Sequence, residues 1–299
     1  MAISVQKIHP LFVGPTFVAE ISGIDLSRPV DPSDIAAIEA AIDQHGVLVF
    51  HDQDITDEQQ IAFSAQLGPL ETTIHAIRKG AALRLDAHIA DVSNLDEHAK
   101  VLAANDRRRM NGLGNRLWHT DSSFKATPAK YSLLSARTIP GAGGETQFAD
   151  LRAAYDALPD AMKRSISDLV AEHCIMWSRA TIGFTDYTQA ERDALPPVPQ
   201  RLVRLHPGSR RKTLYLASHA QAIRGMPLPE ARVLLLDLME HATQREFVYT
   251  HTWRVGDLVM WDNRCTMHRA RQYDLNTARD MHRTTVVDVA PTLEQAMVA

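Results

Sequence analysis

The chain has 299 residues, of which 45% are hydrophobic and 23% charged, the balance of an ordinary globular protein. A net charge of −4 and an aromatic content of 6% argue against nucleic acid as the main partner, since such binding relies on basic surface and stacking aromatics. No apolar stretch approaches a membrane span, and the N-terminus lacks a signal-peptide pattern. With two cysteines and no CxxC spacing, we expect a cytoplasmic protein with one domain over residues 1–299.

The N-terminal third has a helix–strand–helix pattern. Asp31 is a suitable cap, Pro32 suits the first helical position, and Gly46 is expected to end this helix. An apolar run at 47–50 then predicts a buried strand. A second helix is predicted from the capping box of Thr56 and Gln59 to Gly68.

From about residue 72 to 117 the pattern becomes polar and irregular. A loop of this length inside a compact domain is usually a lid, a binding loop or a disordered segment. We expect a variable active-site loop at 72–117, with His75 facing solvent and Arg107–Arg109 forming a solvated stretch.

The C-terminal half alternates between strands and helices. Helical spacing predicts helices at 150–158 and 228–242. Strands are predicted at 202–206 and 213–217 around a Pro-Gly-Ser turn, at 247–253, at 258–261 after a Gly-Asp turn, and at 280–289. Short strands with turn signals favour an antiparallel barrel or sandwich with helices packed outside.

His119 and Asp121 are the clearest candidate metal ligands. In an extended segment, residues i and i+2 point to the same side, so one imidazole and one carboxylate can converge on one cation. His268 follows a predicted strand that could lie beside this segment, and it would supply a third ligand. Two histidines and a carboxylate leave positions open, which suits iron(II). Taken alone, an H-x-D motif is more often a surface histidine beside a loop-capping aspartate.

Arg279 and Arg283 point the same way whether their segment is a strand or a helix. A solvated basic face is the ordinary interpretation of such a pair, but this segment has the pattern of a buried strand. Buried guanidinium groups need partners, and arginine holds carboxylates with two hydrogen bonds. The pair therefore predicts two incoming carboxylates, one from a cosubstrate and one from a substrate. Thr146, after a glycine-rich turn, could add a hydroxyl, although a turn or strand role is more common.

These spacings resemble the taurine/2,4-dichlorophenoxyacetate dioxygenase family of iron(II)- and 2-oxoglutarate-dependent oxygenases. The resemblance runs from Ile24 to Thr285 and is strongest at 117–124, 152–159, 184–197 and 240–268. It implies an α+β fold, mainly β, with a double-stranded β-helix (jelly-roll) core surrounded by helices.

The resemblance also implies roles for individual residues. His119, Asp121 and His268 would bind iron(II); Thr146 and Arg279 would bind 2-oxoglutarate; Arg283 and Asn94 would lie on the substrate side. The implied reaction uses dioxygen to hydroxylate the α-carbon of a small anionic substrate. For an aryloxyalkanoic acid such as 2,4-dichlorophenoxyacetate, the products are a phenol and glyoxylate, with succinate and carbon dioxide as coproducts. Family members are commonly homo-oligomers.

Three alternatives remain open at this point. The same chemistry could act on an alkyl sulfonate or another small carboxylate, because an arginine fork accepts either anion. A zinc hydrolase could use the same three ligands, but it would leave the paired arginines without a role. The third is a non-catalytic jelly-roll binding protein, which is disfavoured because each of the ligand positions is present.

Overall fold

The fold is a set of β-sheets with helices packed outside them, seen in a computed structural model that describes residues 3–7, 16–73 and 83–295. His75 and part of the predicted loop at 72–117 lie outside these residues. The strands are β1 Ser4–Lys7, β2 Val18–Ser22, β3 Val47–Phe50, β4 Ala90–Asp91, β5 Ala129–Thr138, β6 Thr146–Asp150, β7 Val170–His173, β8 Val198–Arg201, β9 Val203–Leu205, β10 Lys212–Leu214, β11 Ala220–Ile223, β12 Val248–His251, β13 Leu258–Asp262, β14 Thr266–Ala270 and β15 Asp280–Val287. The α-helices are α1 Pro32–His45, α2 Asp57–Ala65, α3 Arg107–Gly112, α4 Leu151–Ala157, α5 Asp160–Ile166, α6 Ile175–Ala180, α7 Gln189–Ala194 and α8 Leu228–Ala242.

A seven-stranded main sheet, in the order β1-β2-β3-β13-β5-β15-β4, forms the largest layer. Its β13 pairs antiparallel with both β3 and β5, and β15 pairs antiparallel with β5. A three-stranded second sheet has the order β12-β6-β14. Two smaller sheets, β11-β7-β8 and β10-β9, complete the strand pairing among the described residues.

The main sheet is buried on both faces because its central strands alternate between two hydrophobic clusters. In β3, Val47 and Val49 pack in a cluster with Phe148 and Tyr249 of the second sheet. The intervening residues of β3 join the cluster formed with α1 and α2. Successive side chains of a strand point to opposite faces, so one apolar run supplies both layers. The space between the main and second sheets is where the candidate site lies.

Helix α2 is fixed against the main sheet by polar as well as apolar contacts. Thr56 and Gln59 form the predicted capping box at its N-terminus. The buried Gln60 side chain donates to the carbonyl oxygens of Leu133 and His282, at 3.1 and 2.9 Å. These bonds tie α2 to β5 and β15, and so help to fix the strand that presents Arg283.

Most predicted elements are confirmed, with bounds that differ by a few residues. Helix α1 ends at Gly46, whose φ of 82° suits glycine, but the Asp31 side chain makes no capping hydrogen bond. The predicted strand at 247–253 is shorter, since a 3₁₀ turn occupies Arg245–Phe247 and β12 ends at His251. The predicted helix at 228–242 is confirmed as α8, and its first residue, Leu228, is 46% exposed.

Two expectations need correction. Arg107–Arg109 does not form a solvated loop, because it begins α3, where Arg107 pairs with Asp186 and Glu191. A closed antiparallel barrel is not what the described residues form: the main and second sheets are separate, and β2 pairs parallel with β3. The mixed, sheet-rich α+β class is confirmed. No helix within the described ranges is both long and apolar enough to cross a membrane.

Candidate metal and cosubstrate site

His119 and His268 are brought together by direct backbone pairing. His268 lies in β14, and the backbone N–H of each histidine donates to the carbonyl oxygen of the other, at 3.0 and 2.8 Å. Asp121 lies two residues after His119 in the same irregular segment. All three side chains are buried, and their ligand atoms lie within 4.8 Å of one another. The structure therefore brings the three predicted ligands into one cluster.

The geometry of this cluster leaves ring nitrogens available for a cation. The Nδ1–H of His119 donates to the carbonyl oxygen of Leu117 at 2.7 Å, which leaves the lone pair on Nε2. That Nε2 atom is 3.8 Å from Asp121 Oδ1, and Nε2 of His268 is 3.8 Å from Asp121 Oδ2. Burial lowers the pKa of His119 to about 4 and that of His268 well below its ordinary value. Both imidazoles are therefore neutral at physiological pH, as metal binding requires.

The Asp121 carboxylate is oriented by a hydrogen-bonded chain behind it. Ser132 Oγ, on β5, donates to Asp121 Oδ2 at 2.7 Å. Asn263 donates from Nδ2 to Ser132 Oγ at 2.9 Å, and its Oδ1 accepts from the Asp121 backbone N–H and from Trp261 Nε1, both at 3.1 Å. Because Asn263 fills the acceptor side of the serine hydroxyl, the serine proton points at the carboxylate. Such outer contacts fix the direction of a metal ligand.

Arg283 reaches the same carboxylate from β15. Its Nη1 lies 2.5 Å from Asp121 Oδ1. Burial alone would raise the pKa of Asp121, but the positive charge of Arg283, aided by the Ser132 hydrogen bond, lowers it to about 2. Arg283 Nε is buried without a hydrogen-bond partner among the described residues. The guanidinium thus adjoins the metal ligands and keeps unused donor capacity.

Arg279 is buried beside the glycine-rich turn before β6. A Cβ placed on Gly144 would lie 3.6 Å from Arg279 Nε, which shows how closely the guanidinium approaches that turn. Nη1 donates to the Val92 carbonyl oxygen at 3.2 Å, while Nε has no partner in the described parts of the chain. Burial lowers the pKa of Arg279 from its ordinary value. A buried cation with an unfilled donor is suited to an incoming carboxylate.

Thr146 begins β6 two residues after Gly144, and it is 3% exposed. Trp253 Nε1 donates to its Oγ1 at 3.0 Å. Within the described residues, the Thr146 hydroxyl donates no hydrogen bond. Thr146 and Arg279 therefore both present buried, unfilled donors at the same turn.

Asn94 lies behind Arg279. Its Oδ1 accepts from the Arg279 backbone N–H at 2.8 Å, and its Nδ2 donates to the carbonyl oxygens of Leu275 and Thr277 at 3.0 and 2.8 Å. Both amide hydrogens are used by backbone, and the residue is 3% exposed. This geometry gives no support to the predicted contact between Asn94 and substrate. The contacts instead fix the segment that leads into β15.

Arg179, at the end of α6, is a third cation near the metal ligands. It is 5% exposed and bonds only neutral groups, namely Asn111, Asn115 and Ser178. No carboxylate of the described residues lies within ion-pair distance of it. Burial is the main cause of the lowered pKa of His119, the charge of Arg179 lowers it further, and the charge of Asp121 acts in the opposite direction. Arg179 and Arg283 thus both act on the single ligand carboxylate of Asp121, and this imbalance favours anionic ligands.

A second group, His206, Asp262 and Cys265, also has metal-ligand spacing. Its donor atoms are already used, however. Asp262 accepts from Arg264 Nε and Nη2 and lies 2.8 Å from His206 Nε2, while His206 Nδ1 accepts from the Ser209 backbone N–H. A cation there would displace a buried arginine, so this group is a structural ion-pair network.

The sequence interpretation did not identify Ser132, Asn263, Trp253 or Arg179. Arg179 has a visible signal, because no acidic residue lies within four positions of it, whereas Ser132 is one of several polar residues in the sequence of β5. Asn263 lies within the Trp-Asp-Asn-Arg run just before His268. Trp253 has no such signal, because its partner Thr146 is more than a hundred residues away.

Comparison with known proteins gives a consistent result. The family model described as taurine catabolism dioxygenase TauD, TfdA family matches residues 6–285. The chain is 44% identical over 290 residues to the alpha-ketoglutarate-dependent 2,4-dichlorophenoxyacetate dioxygenase of Cupriavidus pinatubonensis, covering 97% of this chain and 99% of that one. It is 38% identical over 272 residues to the (S)-phenoxypropionate/alpha-ketoglutarate-dioxygenase of Sphingobium herbicidovorans, covering 89% and 90%. The crystal structure of AAD-2 with Mn(II) and N-oxalylglycine superposes with a TM-score of 0.88 at 52% identity, over 99% and 100% of the two chains.

Proposed function

Because this chain belongs to the TauD/TfdA dioxygenase family, we propose that it is an iron(II)- and 2-oxoglutarate-dependent dioxygenase that hydroxylates the α-carbon of an aryloxyalkanoic acid. A substrate such as 2,4-dichlorophenoxyacetate gives a phenol and glyoxylate, with succinate and carbon dioxide as coproducts. Two relatives are named for their action on 2,4-dichlorophenoxyacetate and on (S)-phenoxypropionate, and this supports the substrate class.

The donor set fits iron(II). His119, Asp121 and His268 would hold the metal through two neutral imidazoles and one ionised carboxylate, a set that leaves three coordination positions open. Ligand atoms within 4.8 Å of one another suit a single ion. Bound iron(II) supplies the activation of dioxygen that is coupled to oxidative decarboxylation of 2-oxoglutarate. The protein supplies binding, orientation and exclusion of water.

Thr146 and Arg279 fit the distal carboxylate of 2-oxoglutarate. Each presents a buried donor that has no acceptor among the described residues. A carboxylate placed between them would accept from the threonine hydroxyl and from the guanidinium, and so satisfy both. Unpaired buried donors are costly, so a dicarboxylate is bound in preference to a 2-oxo acid that ends in a methyl group.

Arg283 fits the carboxylate of the substrate. Its side chain is 20% exposed, whereas that of Asp121 beside it is 4% exposed, so the guanidinium is the more accessible partner of this pair. A substrate carboxylate on Arg283 would bring its α-carbon close to the metal ligands. Holding the reacting carbon in this way is the main contribution that a protein can make to such a reaction.

The observation that supports this proposal most strongly is the charge balance of the site. Arg179 and Arg283 act on one ligand carboxylate, Arg279 is buried with no carboxylate partner among the described residues, and a divalent metal adds two further positive charges. A 2-oxoglutarate dianion and a substrate monoanion reduce this excess. A zinc hydrolase with the same ligands gives the arginines no role. Metal analysis after anaerobic purification, together with an assay for 2-oxoglutarate-dependent turnover, distinguishes the iron dioxygenase from the zinc hydrolase.

The test is a succinate-release screen. Iron(II)-loaded protein with 2-oxoglutarate is offered phenoxyacetates, phenoxypropionates, cinnamates and alkyl sulfonates. Succinate release that depends on a phenoxyacetate, with release of the phenol, is the expected result. Turnover of sulfonates alone would preserve the reaction class and overturn the substrate class.

We also propose finer features of the protein as a whole. The packing of the main sheet on the second sheet supports a double-stranded β-helix core within one domain over residues 1–299. The described part of 72–117 includes α3, which approaches Arg179 through Asn111, and this contact supports a role of that loop in the site. The free, buried Cys174 and Cys265 support a reducing cytoplasmic location. Light scattering tests the proposed homo-oligomer.

A further inference from the structure

We propose that Trp253 is a positioning residue for the cosubstrate: its indole N–H holds the Thr146 hydroxyl so that the hydroxyl hydrogen points at the distal carboxylate of 2-oxoglutarate. This inference rests on the proposed function. To the proposed function it adds Trp253, which lies two positions beyond the end of β12. Among the hydrogen bonds of the described residues, Trp253 makes none to the metal ligands or to Arg279.

The contact between the two side chains is direct, and both side chains are buried. Trp253 Nε1 lies 3.0 Å from Thr146 Oγ1, and both residues are buried, at 6% and 3% exposure. The register of β12 on β6 pairs His251 with Thr146, which brings the chain back over the start of β6. The His251 ring packs edge-on against Trp253 at 4.6 Å. Trp253 also belongs to the apolar cluster between the two sheets, which fixes its ring.

The chemistry of the two groups sets the direction of the hydrogen bond. An indole N–H can only donate, whereas a hydroxyl can both donate and accept. Thr146 Oγ1 must therefore accept from Trp253. Its own hydrogen is directed elsewhere, and it is donated to no group in the part of the chain that the structure describes. A hydroxyl group held in this way can donate a hydrogen bond to an incoming ligand.

Arg279 supplies the second half of the same pocket. Its Nε is buried, lacks a partner among the described residues, and approaches Gly144, two residues before Thr146. An acceptor that satisfies both donors must carry two oxygens or one oxygen with two lone pairs. A carboxylate fits, and an uncharged methyl terminus does not. Trp253 thereby favours a dicarboxylate without touching it.

A binding experiment with two matched ligands tests the proposal. Titration calorimetry on the Mn(II)-loaded full chain compares 2-oxoglutarate with 2-oxopentanoate, which replaces the distal carboxylate by a methyl group. Trp253→Phe removes the donor and keeps an aromatic ring. We expect it to weaken 2-oxoglutarate binding about three- to tenfold, the range for one neutral hydrogen bond, and to leave 2-oxopentanoate binding unchanged.

A double-mutant cycle separates positioning from packing. Thr146→Val should weaken 2-oxoglutarate binding, and adding Trp253→Phe to it should cause no further loss, because the bond is already gone. Trp253→His, which keeps an N–H donor, should recover part of the affinity. Trp177→Phe is the control, since Trp177 packs against Arg232 with its ring centroid 4.1 Å from the guanidinium carbon.

Defined results would overturn the proposal. Equal weakening of both ligands by Trp253→Phe, or additive effects in the cycle, would mean that Trp253 acts only through packing. If that variant does not fold, 3-benzothienylalanine placed at position 253 keeps the ring shape and lacks only the N–H; unchanged 2-oxoglutarate affinity would then refute the idea. A wild-type protein that binds no 2-oxoglutarate would overturn the proposed function itself, and this inference with it.

Discussion

Arg283 Nη1 and Asp121 Oδ1 are joined by a hydrogen bond of 2.5 Å, so the arginine assigned to substrate also contacts an assigned metal ligand. The substrate carboxylate and the metal ion would therefore both interact with this one ion pair, the substrate through Arg283 and the metal through Asp121. Because Arg283 is assigned to the substrate and Arg279 to 2-oxoglutarate, replacing Arg283 tests substrate binding separately from cosubstrate binding.

Replacement of Arg283 should act mainly on the aryloxy acid. Arg283→Gln should raise the KM for the aryloxyacetate roughly ten- to hundredfold, the range for a hydrogen bond to a charged group, and change the KM for 2-oxoglutarate much less. Steady-state kinetics with each substrate varied in turn measures both. Arg224→Gln, at an exposed ion pair with Glu172, is the control. The reverse pattern would mean that Arg279 and Arg283 have exchanged roles.

The hydrogen-bonded side chains behind Asp121 should affect the affinity for the metal ion. Ser132→Ala removes the hydroxyl that donates to Asp121 Oδ2, and we expect about tenfold weaker binding of Mn(II) or Fe(II), as for other outer contacts of metal ligands. Ser135→Ala is a matched control, because Ser135 lies on the same strand, is buried, and has an Oγ without a partner among the described residues. Equal losses in the two variants would reject the assignment.

Asn94 should matter for cosubstrate through Arg279. Asn94→Ala leaves the Arg279 backbone N–H and two carbonyl groups without their side-chain partner, which costs about 1–3 kcal/mol of unfolding free energy. The same change should raise the KM for 2-oxoglutarate more than that for the aryloxy acid. Asn276→Ala, an exposed neighbour in the same turn, is the control. A selective effect on the aryloxy acid would instead restore the substrate contact expected from sequence.

His282 should make stability depend on pH. Its ring nitrogens lie 2.5 Å from Asp57 Oδ1 and 3.2 Å from Asp280 Oδ1, an arrangement that requires the imidazolium form. Burial opposes that charge, but the two carboxylates raise the pKa of His282 above its ordinary value. Arg137 and Arg84 contact the same two carboxylates.

Since the pKa is raised on folding, the stabilisation is present below the ordinary histidine value of about 6.5 and is lost as pH rises through the folded value. The free energies of unfolding of wild type and His282→Gln, measured with denaturant, should therefore differ more at pH 6 than at pH 9. A difference that stays constant with pH would show that folding does not raise the pKa of His282.

Local patterns in the sequence predicted local structure and the ligand set. The capping box at Thr56 and the glycine at position 46 determine helix ends through contacts within a few residues, so they could be recognised directly. His119, Asp121 and His268 could be proposed because metal binding restricts the types of residue that serve. The order of the strands in the main sheet depends on long-range pairing, and no local pattern specifies it.

The supporting contacts could not be predicted for the same reason. Ser132 acts on Asp121 from a different strand, and Trp253 acts on Thr146 across 107 positions. The resemblance implies a substrate-side role for Asn94, whereas its hydrogen bonds run to backbone groups 181–185 positions further along the chain. A single sequence does not reveal which buried polar groups satisfy one another.

The most direct test is the stoichiometry of the coupled reaction. Protein loaded with iron(II) is incubated with 2-oxoglutarate, dioxygen and 2,4-dichlorophenoxyacetate, and succinate and 2,4-dichlorophenol are quantified together. Equal amounts of the two products are expected, with both lost when iron(II) or 2-oxoglutarate is omitted and in the His119→Ala variant. Phenol released without 2-oxoglutarate, or no succinate with any aryloxy acid, would contradict the account.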